Sequence, residues 1–242
     1  MFFRFFQNFS RMPAVKRRRS TSHAKARRSR TRARKSSASR GLSRITKAPF
    51  PNSTVATLRY VDQATLSPPV DGMTINKKSW RSNSIYDPQF SMGGHQPYGH
   101  DQFELLYHHY EVLEAKIRVT FTCGDTDRDS ASAQIVGIRS GGDMGVSAPI
   151  DENTMCEAPN VRFGVIPPGV GKLVLNHSFS QKEFYSPKHG GLTAAFGTNP
   201  AELAFFEIWS GSQVGNGNAN VTALIEIEYK CRFFEPKDLN QS

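Results

Sequence analysis

Two long stretches of this chain alternate apolar and polar side chains with a period of two, and that pattern constrains the fold more than any other feature. In residues 113–123, Leu113, Ala115, Ile117, Val119, Phe121 and Cys123 fall on one face, and Glu114, Lys116, Arg118, Thr120 and Thr122 on the other. In residues 221–233, Val221, Ala223, Ile225, Ile227, Tyr229, Cys231 and Phe233 alternate with Thr222, Glu226, Glu228, Lys230 and Arg232. Successive strand side chains point to opposite faces, so each stretch predicts a long strand with one buried and one wetted face, as in antiparallel sheets.

Weaker β patterns occupy residues 54–66, 74–85, 132–139, 160–166, 171–179 and 202–210, which brings the expected total to eight strands. Turn punctuation separates them: SPP at 67–69, SGGD at 140–143, IPPGVG at 166–171, HGG at 189–191 and GNGN at 215–218. Only residues 101–109 read as helical, for one or two turns. No internal repeat is visible, which argues against a propeller or solenoid. Eight strands with long, uneven connections predict an all-β fold, a single eight-stranded antiparallel jelly-roll sandwich.

Charge divides the chain in two. The formal net charge is +10, yet the first acidic residue is Asp62, and residues 1–61 already hold 17 basic side chains. Residues 62–242 carry 14 basic and 21 acidic side chains, a net charge of −7. Residues 1–50 therefore read as a basic, disordered arm, and residues 51–242 as the folded domain. Within the arm, residues 16–35 contain eleven Lys or Arg in twenty: Lys16, Arg17, Arg18, Arg19, Lys25, Arg27, Arg28, Arg30, Arg32, Arg34 and Lys35. Arginine forks match phosphate oxygens, and each neutralised phosphate releases counterions, so the expected partner is nucleic acid bound without sequence preference. No aromatic residue interrupts residues 10–49, so base stacking is not the expected mode. The same clusters fit a nuclear localisation signal. Ahead of them, MFFRFFQNFSR carries five Phe in eleven residues, interrupted by Arg4 and Gln7-Asn8, and Met12 offers an alternative start.

Other chemistries find little support. No stretch reaches the roughly 18–20 apolar residues that span a bilayer. Cys123, Cys156 and Cys231 are odd in number without CxxC spacing, against a disulfide scaffold or a structural zinc site. GVGK at 169–172 fails as a phosphate loop, because Ile166 stands where the first Gly belongs and Leu173 where Ser or Thr belongs. Asp125, Asp127 and Asp129 begin like a calcium loop, but Ser130 replaces its Gly and Val136 its bidentate Glu. A solvated turn is the leading reading, with a cation site arising only where copies of the loop meet. His95, His100, His108 and His109 cluster in sequence, and loop packing accounts for them better than metal ligation. No hydrolase or metalloprotease motif is present, so neither catalysis nor a cofactor is expected.

Residues 80–121, WRSNSIYDPQFSMGGHQPYGHDQFELLYHHYEVLEAKIRVTF, resemble capsid proteins of circular single-stranded DNA viruses that encode a replication initiator. The resemblance rests on Asn83 with Ile85-Tyr86-Asp87-Pro88, on Gly94-His95-Gln96-Pro97, on Asp101-Gln102-Phe103, and on Tyr107–Val112 and Lys116–Phe121. Asn199-Pro200, Phe206–Trp209 and the last strand Ile225–Phe233 followed by Pro236 extend it. It implies an icosahedral shell subunit, in a T=1 particle of roughly 60 copies, with the arm on a single-stranded DNA genome. It further implies a virion protein that passes through the host nucleus during assembly and meets a host attachment factor. Asp87-Pro88 and His95-Gln96-Pro97 then shape loops near a subunit contact. The Phe-rich start departs from that pattern. Two other readings compete: a cellular nucleic-acid-binding protein with a basic tail on a β-sandwich, and a glycan-binding sandwich.

Overall fold

In the computed structural model, the described residues are 50–67, 75–91, 94–123, 133–142, 151–167, 171–184, 191–212 and 220–238. They form strands β1 (Ser53–Leu66), β2 (Asn76–Arg81), β3 (Tyr107–Cys123), β4 (Gln134–Gly141), β5 (Val161–Ile166), β6 (Lys172–Ser180), β7 (Thr193–Ala195), β8 (Phe205–Ser212) and β9 (Val221–Pro236). Three short helices join them: α1 (His100–Leu106), α2 (Glu152–Glu157) and α3 (Gln181–Phe184).

The strands make two antiparallel sheets. Sheet A has the order β1-β9-β3-β6, with β7 also pairing to β3, and sheet B the order β2-β8-β4-β5. The pairing is nested: the first strand pairs with the last, β2 with β8, β3 with β6, and β4 with β5. A long hairpin rolled into two facing sheets has this connectivity. The fold is a jelly roll.

The alternation of β3 and β9 explains their central place in sheet A. Ile117 lies opposite Ile227 and Val119 opposite Ile225, all inward, while Lys116 lies opposite Glu228 and Arg118 opposite Glu226, all outward. Inward side chains of both sheets form one core that includes Tyr60, Trp80, Tyr110, Phe121, Ile138, Phe206, Tyr229 and Phe233. Phe103 of α1 stacks on Phe233 at a centroid separation of 4.1 Å, which seats the helix against this core. Gly99, at φ 93°, takes the left-handed turn that starts α1. A second cluster, Ile75, Met155 and Trp209, lies apart from the main core. Trp209 belongs to β8, where its neighbours Phe206 and Ile208 point into the main core, so the second cluster covers the outer side of sheet B.

Several sequence expectations need correction. The helix expected over 101–109 ends at Leu106, and strand geometry begins at Tyr107. The register shifts between Val112 and Glu114, so Leu113 sits at a bulge and the clean inward face starts at Ala115. The strand expected over 74–85 ends at Arg81, and that expected over 202–210 runs from Phe205 to Ser212. A ninth, three-residue strand and two further helices were not foreseen. One of them, α2, is capped by Asp151, whose side chain accepts from the Thr154 backbone N–H at 2.8 Å.

Candidate functional site

Lys16, Arg17, Arg18, Arg19, Lys25, Arg27, Arg28, Arg30, Arg32, Arg34 and Lys35 all lie outside the described residues, as do Asp125, Asp127 and Asp129. GNGN at 215–218 also lies outside them, and GVGK is described only from Gly171; the block of residues 80–121 is described except at 92 and 93, and its side chains build loops and part of a charged sheet face.

The segment after β2 is held by its own polar groups. The Arg81 guanidinium donates to the Asp87 backbone carbonyl at 2.6 Å, to Asp87 Oδ2 at 2.9 Å and to the Gln89 carbonyl at 3.1 Å. Asn83, 2% exposed, donates to the Glu202 carbonyl at 2.7 Å and accepts from the Ala204 backbone N–H at 2.9 Å. It thereby mimics a strand residue and ties residues 82–84 to the segment entering β8. The Ser84 hydroxyl donates to Asn199 Oδ1 at 2.7 Å, and the Tyr110 hydroxyl donates to the Thr198 carbonyl at 2.8 Å. Burial pushes the Tyr110 phenol up to about 12, and it pushes Tyr60, Tyr229 and Cys231 upward as well. These groups are held in their neutral forms, which suits packing.

Asp87-Pro88 and His95-Gln96-Pro97 shape loops, as expected. Besides the Arg81 clamp on Asp87, the Pro88 carbonyl accepts from the Arg81 backbone N–H at 2.6 Å. His95 stacks on Tyr60 at 4.6 Å. The Tyr98 N–H donates to the Arg59 carbonyl at 3.3 Å, which occupies part of the free edge of β1.

The four histidines have separate environments. His100 is buried on α1, its ring edge-on to Phe196 at 5.2 Å. His109 Nδ1 lies 3.0 Å from Glu235 Oε2, and His108 is exposed. Among the described residues one group has ligand atoms within 4.8 Å of one another, His100, Asp101 and Glu104. Asp101 is exposed to solvent, and His100 Nδ1 sits 3.2 Å from its Oδ1.

The outer face of sheet A concentrates charge. Arg232 pairs with Glu111, Lys230 Nζ lies 3.2 Å from Glu114, and Glu226 receives both Arg59 and, at 3.9 Å, Arg118. Among the described residues Lys116, Lys172 and Glu228 also point outward here, giving six Lys or Arg against five carboxylates once Glu235, which meets His109, is counted. Residues 50–242 carry 15 basic and 21 acidic side chains, so a face of slight positive charge belongs to a domain at −6. The alternation of β3 and β9 marked most of these residues as outward. Arg162 of β5, which lines the same groove as Lys116 and Arg118, carried no such signal because it arrives from the other sheet.

No protein-family profile matches this chain, and no curated protein does. Solved structures with a similar fold are coat proteins of viruses. The 60-mer BFDV capsid protein aligns with a TM-score of 0.46 at 12% identity, over 80% of this chain and 100% of that one. A semi-empty virus-like particle of the giant freshwater prawn Macrobrachium rosenbergii nodavirus gives 0.46 at 10% identity, over 81% and 100%. The empty head of turnip yellow mosaic virus gives 0.41 at 12% identity, over 82% and 89%. These likenesses concern the fold alone.

Proposed function

We propose that this chain is the coat subunit of a circular single-stranded DNA virus, a structural protein that assembles into an icosahedral shell and packages its genome. In this reading residues 51–242 form the wall. Residues 1–50 form the arm that neutralises DNA phosphates and carries the nuclear localisation signal. The observation that carries the proposal is the joining of an Arg-rich segment to a nested jelly roll of opposite net charge. A basic arm binds phosphate without regard to sequence, while a net negative domain keeps the remaining surface from binding nucleic acid indiscriminately. The motif block of residues 80–121 supports the choice of virus class, and in the fold it supplies the Asn83 and Arg81 ties of the loop after β2. The subunit acts by association, as a virion component, and passes through the host nucleus during assembly.

The charge balance sharpens the proposal. Sixty copies of the sixteen arm cations in residues 1–47 supply roughly 960 positive charges, against one negative charge per nucleotide. This chain's own coding region needs about 726 nucleotides, and a genome that also encodes an initiator exceeds the arms. Small cations or basic wall residues make up the difference. Removal of residues 12–40 is expected to leave particles that assemble without nucleic acid. Nuclease-protected, full-length DNA inside such particles would overturn the assignment of the arm.

A further inference from the structure

The two outer faces of the sandwich are unequal. On sheet B, Trp209 and Met155 are fully buried and α2 packs against the strands. On sheet A, Arg59, Lys116 and Arg118 stand exposed along a groove of about 410 Å³. Four cations from three strands line that groove: Arg59 of β1, Lys116 and Arg118 of β3, and Arg162 of β5. Asn176 and Ser178 on β6 add an amide and a hydroxyl, both exposed. Its carboxylates are Glu226 and Glu228 on β9.

The cations are not equivalent. Glu226 engages both Arg59 and Arg118. Among the described residues, Lys116 and Arg162 close no ion pair, although Lys116 lies opposite Glu228 in the register. The Glu226 pairs are wet, since the arginine side chains are 62% and 59% exposed, and exposed pairs hold weakly. A phosphate can therefore take up either guanidinium once it competes with one shared carboxylate. Guanidinium forks and a lysine in an open groove suit the oxygens of a phosphodiester. His177 contributes shape: its Nδ1 accepts from the Ser178 N–H at 2.8 Å, and its Nε2 donates to the Asn160 carbonyl at 2.9 Å.

We infer that this groove is a phosphodiester subsite for single-stranded DNA, with Lys116 and Arg162 as its free cations and Glu226 as the restraint on Arg59 and Arg118. The inference rests on the packaging reading and supplies the wall charge which that reading requires. It also orients the subunit, with the open face of sheet A toward the genome.

The test is the salt dependence of oligothymidylate binding, read by fluorescence anisotropy on the full chain. Each single-strand phosphate contact contributes about 0.7 to the log–log slope, so Lys116→Gln with Arg162→Gln is expected to lower the slope by about 1.4. Glu226→Gln frees two guanidinium groups and is expected to tighten binding and steepen the slope, a gain that misfolding does not produce. A third variant, with Lys16, Arg17, Arg18 and Arg19 changed to Gln, separates the two ideas. An arm variant that weakens binding while the groove variants change nothing overturns the groove and leaves packaging intact. Unchanged binding in all three overturns both. Should the double variant fail to fold, weaker binding by Glu226→Gln, or ultraviolet crosslinks of the wild-type chain confined to residues 1–49, overturns the groove.

Discussion

Asn83 offers the sharpest test of how the residues 80–121 block shapes the fold. Its amide closes two hydrogen bonds to backbone groups, the Glu202 carbonyl at 2.7 Å and the Ala204 N–H at 2.9 Å, and Ala204 is fully buried. Asn83→Ala leaves both groups without partners. An unsatisfied buried polar group costs about 1–3 kcal/mol, and that cost falls on the buried Ala204 N–H, since water can reach the carbonyl of the exposed Glu202; the expected loss is therefore about 1–3 kcal/mol, a sizeable part of the stability of a single domain. Asn83→Asp separates the two bonds. One carboxylate oxygen still accepts from Ala204, while the other faces the Glu202 carbonyl and repels it. That repulsion raises the aspartate pKa in the folded state above its unfolded value of about 3.9. The protonated acid can donate to the carbonyl, so the stability of this variant relative to wild type is highest below about pH 4 and is lost as pH rises through the folded pKa. Denaturant unfolding of dissociated subunits, with wild type and both variants compared at each pH, reads these differences. An Asn83→Ala loss below about 0.5 kcal/mol, or an Asn83→Asp variant whose deficit does not shrink in acid, would refute the reasoning.

Two further outcomes follow from the packing and the buried phenols. A Cβ on Gly137 would meet the Trp209 indole at 2.5 Å across the β4–β8 pair, so Gly137→Ala is expected to destabilise by about 1–3 kcal/mol and to change the indole fluorescence. An unchanged denaturation midpoint would contradict that contact. Tyr110 titrates at about 12 when folded against 10.0 ordinarily, so its contribution is complete below pH 10 and falls by about 1.4 kcal/mol per pH unit between 10 and 12. Tyr60 and Tyr229 are shifted the same way, so phenolate absorbance is expected to include a cooperative step that coincides with alkaline unfolding. Gradual ionisation of all seven tyrosines in a folded chain would contradict their burial.

The sequence announced the sandwich where one strand face is wet and the other dry. β9 and the second half of β3 alternate throughout, and their inward residues are the core residues. The pattern misled where the backbone breaks period two: the bulge at Leu113 flips the parity, so Tyr110 and Val112, on the opposite phase to Ala115, point inward. β8 was misplaced by a few residues because Phe205 through Ser210 are buried on both sides, which erases alternation. Helix α1 was overrun because His108, His109 and Tyr110 follow a helical run without Gly or Pro to stop it. The basic arm expected from composition lies outside the described residues. The groove on sheet A was legible only in part, since Lys116 and Arg118 sit on a recognisable polar face whereas Arg162 joins them through the meeting of two sheets.

The central claim is that this jelly roll exists to enclose nucleic acid, and imaging of the purified full-length protein tests it most directly. Electron micrographs combined with nuclease protection are expected to show closed particles of roughly 60 subunits that shield single-stranded DNA, one phosphate charge per nucleotide against the arms and the groove. A chain that remains a monomer or small oligomer across concentration and salt, with DNA bound only on an open surface, would contradict the account.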